Sequence, residues 1–229
     1  AHSYGGSPES ICMGLTQGSF ASPGAWSATS TFIVGAYKRQ GYGATLHAGW
    51  SGNDVNLAAL LYVDDTDLLH SSATRGLPLS DLVTRVQHAI NCWANLLQAT
   101  GGSLKSNKCY WYLLLYKFVN GIAIPRHKNE LTVQEVTIPQ PTTQPLPIQL
   151  LDSSTPSKVL GVWTAPVDDG SAMMTHMISK GSLWATRIQA STLHPREVWY
   201  SLTTQALPSV KYGLITLMAT RSNIDKQLP

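Results

Sequence analysis

Two adjacent carboxylates, Asp64 and Asp65, stand between short apolar runs. Leu57-Ala58-Ala59-Leu60-Leu61 leads into Tyr62-Val63-Asp64-Asp65, and Thr66-Asp67-Leu68-Leu69 leads out. Such runs read as the two strands of a hairpin with the acid pair at its tip. A tight hairpin ordinarily turns on Asn-Gly or Asp-Gly, which reach positive φ without strain. Asp-Asp is a poor turn pair, and two neighbouring negative charges repel. A divalent cation removes that repulsion and makes the pair chemically useful. The competing reading of any lone Asp-Asp pair is a solvated acidic turn.

Two further segments decide between these readings. Upstream lies Leu15-Thr16-Gln17-Gly18-Ser19-Phe20-Ala21-Ser22-Pro23, and downstream lies Gly101-Gly102-Ser103-Leu104-Lys105-Ser106-Asn107-Lys108-Cys109. Taken in this order, the three segments resemble the palm of reverse transcriptases. The Gln-Gly segment resembles the motif before the active-site hairpin, Tyr-Val-Asp-Asp the hairpin itself, and the Gly-Gly…Lys-Cys segment the motif after it. Tyr4-Gly5-Gly6-Ser7, Trp26, Thr66-Asp67-Leu68, Trp111-Tyr112 and Leu160-Gly161-Val162-Trp163 extend the likeness to retrotransposon reverse transcriptases along nearly the whole chain. Each motif alone is weak, whereas their order and spacing are specific.

The resemblance implies an RNA-directed DNA polymerase, a nucleotidyltransferase that adds deoxynucleotides to a DNA primer on an RNA template. Hard Mg²⁺ or Mn²⁺ would be held by Asp64 and Asp65, with Asp64 the more direct ligand. Gln17, Gly18 and Ser19 would hold the template and the incoming nucleotide: glycine permits close backbone approach, and glutamine can bond sugar or base. A glycine turn beside a solvated glutamine is the plainer alternative. Tyr62 and Val63 would face the template–primer duplex. Lys108 would sit near the pyrophosphate as its general acid, with Lys105 as a competitor for that role. Leu160 and Gly161 would form the short hairpin that grips the primer, although a buried strand beside a glycine bend explains them equally well. Lys180, Arg187 and Arg196 would reach phosphates, or simply solvate a helix face.

The family carries another metal-binding aspartate on a strand before the Gln-Gly motif, and none of the residues before Gln17 is Asp. The chain is therefore expected to be a fragment that begins within the palm, with the rest of the polyprotein upstream. Alone it would be inactive. The alternative is a retroelement remnant without catalysis that at most binds nucleic acid.

Composition sets the bounds around these motifs. The 229 residues suit one large or two small domains, and 43% hydrophobic residues fit a globular chain. No apolar run approaches a membrane span, and no leader pattern opens the sequence. Three cysteines without zinc spacing suggest reduced thiols in an intracellular protein, cytoplasmic or nuclear. A net charge of +3 is mildly basic, compatible with nucleic acid but short of a basic stripe.

The elements that must position the acid pair follow from periodicity. Ser22 reads as the N-cap of a helix running to Arg39, with Pro23 at its first position and Gly41 as its stop. Tyr42 to Asn53 reads as a glycine-rich connector before the hairpin. Ser80 reads as the cap of the clearest helix, whose Leu82, Val83, Val86, Ile90, Trp93, Leu96 and Leu97 recur at helical spacing up to Gly101. Cys109 to Tyr116 reads as a strand that Lys108 opens, with Phe118 to Ile124 as its partner. The proline-rich run 139–147 reads as a linker, and Lys158 to Trp163 as one short strand. Helices are expected over Met173 to Ile188 and from Glu197 to Leu207, where Pro208 breaks the second. The order predicts the α+β class: a partial palm over residues 1–165, an antiparallel sheet backed by helices, then a helical thumb-like region over 166–229.

Overall fold

A computed structural model describes residues 20–47, 49, 52–62, 65–71, 77–140, 144–167 and 170–214. The fold is mixed α+β with small antiparallel hairpins. In chain order it has α1 (Ala21–Arg39), β1 (Ala44–His47), β2 (Asp54–Leu57), β3 (Ala59–Tyr62), β4 (Asp65–Leu68) and α2 (Leu79–Ala99). There follow β5 (Tyr110–Tyr112), β6 (Tyr116–Val119), β7 (Ile122–Pro125), β8 (Thr137–Ile138), β9 (Leu146–Pro147) and β10 (Gln149–Leu151). The chain continues with β11 (Ser157–Val159), β12 (Val162–Thr164), α3 (Ser171–Gln189), α4 (Pro195–Ser201) and α5 (Leu207–Leu214). Two compact units result: the described residues up to Tyr110 with Thr132–Gln149, and Trp111–Leu131 with the described residues from Leu150.

The first unit is built on α1 and α2. Ile33 and Tyr37 of α1, Ala89 and Trp93 of α2, and Ala58 between β2 and β3 form its buried centre. Tyr37 meets Trp93 edge-on at 5.5 Å and Tyr42 at 4.9 Å, geometries favoured by the ring quadrupoles. Of the expected stripe of α2, Trp93, Leu96 and Leu97 face this core, and Val83 is buried as well. Its cap is different from the expected one. The helix starts one residue before Ser80, after Pro78 has fixed the chain extended, and Ser80 Oγ turns instead to Asp81 Oδ1 at 3.1 Å. Ser22 likewise lies inside α1, which begins at Ala21 without a side-chain cap. Gly41 and Gly101 stop their helices at positive φ as expected.

The segment read as a connector from Tyr42 to Asn53 instead contains β1, which pairs antiparallel with β2 from Ala44↔Leu57 to His47↔Asp54. Both faces of this ribbon are largely exposed, so no alternation of apolar and polar residues marked it. The proline-rich run is also not free of structure. Thr137 and Ile138 pair with Pro147 and Leu146, and the Gln87 amide clamps Thr137 by accepting from its N–H at 2.8 Å and donating to its carbonyl at 2.7 Å.

In the second unit, β6 and β7 form a hairpin with each other, turning on Asn120 and Gly121 at φ 52° and 80°. The strand expected from Cys109 to Tyr116 therefore ends at Tyr112, and its expected partner belongs to a separate hairpin. Asp152 ties the root of that hairpin down, accepting from Ser154 Oγ at 2.6 Å, Lys128 N at 2.7 Å and Ser154 N at 3.0 Å. These donors hold its carboxyl well below the usual carboxylate range, the Ser154 hydroxyl most of all. Val162, Met173 and Met177 make the small core of this unit, with Trp163 and Val210 against it. Gly213 is pressed between Met173 and Met177, where a Cβ would have no room.

Pro208 does not break the last helix. A π-helical segment, Leu202–Ala206, joins α4 to α5 and carries the chain past the proline. Proline lacks the N–H that would bond four residues back, and a wider turn before it accommodates both that loss and its ring.

Candidate functional site

The flanking runs do form a hairpin, but Leu57 ends β2, and Asp65 opens β4 opposite Tyr62 rather than sitting in the turn. β3 and β4 pair antiparallel, with Ala59↔Leu68, Leu60↔Asp67, Leu61↔Thr66 and Tyr62↔Asp65 in register. Because side chains alternate across a strand, one face carries Ala59, Leu61, Thr66 and Leu68 and the other Leu60, Tyr62, Asp65 and Asp67. Leu61 and Leu68 pack on the α1–α2 core. Leu60 and Tyr62 are 54% and 62% exposed, and Asp65 and Asp67 share that open face. Two helices thus back one side of the hairpin and leave two carboxylates and a tyrosine on the other. Val63 and Asp64, which join the strands in sequence, lie outside the described residues, as do Gln17, Gly18 and Ser19.

Burial, and secondarily the negative charge of Asp65, push the Asp67 carboxyl above its ordinary range. Among the described residues, neither carboxylate forms an ion pair. In the sequence Asp67 stands, with Asp54, as a residue that could complete the metal set in place of the family's upstream aspartate; the structure adds that it lies two residues from Asp65 on the same face. Strand periodicity counted from Leu60 was the signal that could have found that placement.

Lys108 belongs to the same unit as the hairpin but does not open a strand. It closes a 3₁₀ turn, Ser106–Lys108, with its side chain exposed; β5 begins at Tyr110. The turn forms because Lys108 N and Cys109 N bond back to Lys105 and Ser106 carbonyls at 2.9 and 3.1 Å. Among the described residues Lys108 has no ion-pair partner.

Leu160 and Gly161 lie in the second unit and form the two-residue turn of a β11–β12 hairpin, at φ 50° and 86°. The segment Lys158 to Trp163 is therefore two strands rather than one. Leucine in the left-handed region is uncommon and costs roughly 1–2 kcal/mol. Tyr212 of α5 steadies the turn, its hydroxyl donating to the Leu160 carbonyl at 2.9 Å. Nothing in the local sequence announces that distant support.

Asp65 offers hard oxygen donors of the type Mg²⁺ takes, on a face open to water; Asp64, its neighbour in sequence, lies outside the described residues. Among the described residues no three His, Cys, Asp or Glu side chains converge on one point. The two carboxylates would therefore be part of a set completed by substrate oxygens, water or another carboxylate. Among the described residues, no helix is long and apolar enough to cross a membrane. No protein-family model, curated protein or solved structure matches the chain.

Proposed function

We propose that this chain is the palm and thumb portion of a retroelement reverse transcriptase, extending a DNA primer on an RNA template with deoxynucleoside triphosphates. The observation that carries the reading is the acid-bearing outer face of the β3–β4 hairpin, set against the α1–α2 core. It stands where the order of the sequence motifs requires a metal-binding strand turn. The α+β architecture accommodates a palm built of hairpins backed by helices, followed by a helical thumb.

Asp64 and Asp65 would hold Mg²⁺ or Mn²⁺, which when bound activates the attacking 3′-hydroxyl and stabilises the departing pyrophosphate. Tyr62, opposite Asp65 and exposed, presents a flat apolar ring on which the terminal base pair can rest. Lys108, exposed at its 3₁₀ turn, is free to place Nζ against pyrophosphate and give up a proton there. The Leu160-Gly161 turn projects its own backbone, which suits the close grip of a primer strand.

Primer extension by a polymerase containing this chain with its upstream palm strand tests the reading. Asp64→Asn keeps the side chain's size and removes the charge a hard cation requires. The expected result is a loss of at least a hundredfold in kcat, about 2.7 kcal/mol of barrier, with the melting temperature unchanged. A smaller loss would sink Asp64 as a direct ligand.

A further inference from the structure

On α3, Lys180, Leu183, Trp184, Arg187 and Ile188 follow one another at i, i+3, i+4, i+7 and i+8. That stripe is the one by which a helix normally seals itself against a neighbour. Here it does not seal. The stripe and the α4–α5 segment, together with Leu193 between them, bound an open cavity of about 400 Å³. Leu183 remains 51% exposed inside this seam.

The charged groups of the cavity have one sign, and Ser201, Gln205 and Ser209 add neutral polar groups. Lys180 and Arg187 stand two turns apart along α3, about 10.5 Å, and no acidic side chain is found among the described lining residues. Neither cation forms an ion pair among the described residues. The floor between them is apolar: Leu183, Trp184 and Ile188. Trp184 is locked in place because its Nε1–H donates to Ser201 Oγ at 3.0 Å, so this wall is preformed. The opposite wall is the π-helical segment, where Gln205 lines the cavity and its Oε1 accepts from Ser201 Oγ at 3.4 Å; such widened turns recur at binding sites.

A cavity of this size, mostly apolar with a few polar groups of one charge, matches the range of small-ligand sites, about 300–1,000 Å³. Its chemistry requires an apolar body and an anionic head. A sugar–phosphate backbone is polar along its length and would leave Leu183, Trp184 and Ile188 uncovered. We propose that the groove binds a free amphipathic carboxylate of the fatty-acid class, with its chain on Leu183, Trp184 and Ile188 and its head on Arg187. Arg187 offers the planar fork that a carboxylate fills with two parallel hydrogen bonds.

Titration calorimetry of the full chain with decanoate, below its micellar range, tests this. Decanol serves as the neutral counterpart, an oligothymidylate and anionic phospholipid vesicles as competitors. Saturable one-site binding of decanoate is expected, at least tenfold tighter than decanol and weakened at least tenfold by Arg187→Gln and by Leu183→Ser. Both side chains are exposed, and unchanged thermal melts would establish that the variants fold. Equal affinity for decanol, or no loss in Arg187→Gln, would overturn the assignment. So would displacement of decanoate by the oligonucleotide or the vesicles with the same two substitutions abolishing their binding, because the groove would then serve a phosphate polymer or a lipid surface. The groove lies in the second unit, so its failure leaves the reading of the acid hairpin untouched.

Discussion

Two titratable residues near the acid hairpin respond to pH in opposite senses. Asp67 has its carboxyl pushed up by burial and by Asp65. A group whose folded pKa exceeds its unfolded value binds more protons when folded, so its stabilising contribution is full below the unfolded value, near 3.8, and is lost as pH rises through the folded one. Asp67→Asn should therefore raise the melting temperature at pH 7 and change it little at pH 3.5, as calorimetry at both values would show. Asp65→Asn should lower the pH at which Asp67 titrates, visible in the carboxyl carbon shift by NMR. His70 is the contrary case. Both of its ring nitrogens are buried without a hydrogen-bond partner among the described residues, and its ring lies 5.9 Å from Tyr42. Burial first, and the Arg85 charge second, pull its pKa below 6.5. The folded state then binds fewer protons, so stability is full above pH 6.5 and falls as pH drops from there toward the folded pKa. His70→Phe keeps the edge contact with Tyr42 and should flatten thermal stability between pH 6.5 and 5; a slope as steep as that of the unsubstituted protein would clear His70 of responsibility. Asp65 was legible from the motif itself, whereas the pH responses of Asp67 and His70 were not, because they depend on which neighbours the fold buries beside them.

At the scale of elements, the hairpins carry the testable content. The β11–β12 turn holds Leu160 at φ 50°, a conformation that glycine adopts without the penalty of roughly 1–2 kcal/mol. Leu160 is 40% exposed, so little packing offsets that cost. Leu160→Gly should stabilise the fold by up to about 1 kcal/mol. It should also weaken primer extension by the reconstituted polymerase if the side chain touches the primer. A gain in stability with full activity would mark the turn as scaffolding alone. Trp93, which joins α2 to Tyr37, gives the opposite outcome: Trp93→Ala should cost about 3–5 kcal/mol, measured by denaturant unfolding. Trp93 and the α2 stripe were readable because helical periodicity needs nothing beyond local sequence. The β3–β4 hairpin was readable from the short apolar runs on either side of the acid pair. The β6–β7 hairpin was equally available from Asn120-Gly121, a strong type I′ signal, but the aromatic run before it suggested a longer strand. By contrast, β1 has no periodicity to read, and β8 and β9 are two-residue ladders held by Gln87, 50 residues away. Pro208 misled because proline argues against an α-helix, while the chain escapes through a π turn.

For the molecule as a whole, the balance of charge and exposed apolar surface decides behaviour in solution. Only 13% of residues are charged, against about 25% in typical globular chains, and the net charge is +3 with an isoelectric point near 8.8. Large apolar side chains meanwhile stand in water on two separate hairpins. Leu60 and Tyr62 line the acid hairpin, and Phe118, 76% exposed, lies with Ile122 on the β6–β7 hairpin. Among the described residues each hairpin is a two-stranded ribbon without a third strand, an arrangement apt to pair with another chain. Little net charge opposes that pairing, and less remains as pH approaches 8.8. Lowering the pH toward 6 protonates part of the seven histidines and adds repulsion. Light scattering should therefore show the apparent mass of residues 1–229 rising with concentration, more steeply at pH 8.5 than at pH 6. Phe118→Lys and Leu60→Lys each place a cation on one apolar hairpin face, and each should reduce the rise. The size of each reduction identifies which hairpin makes the contact. A chain that stays monomeric at pH 8.5 and millimolar concentration would show that these hairpin faces are self-sufficient, with their exposed aromatics tolerated in water.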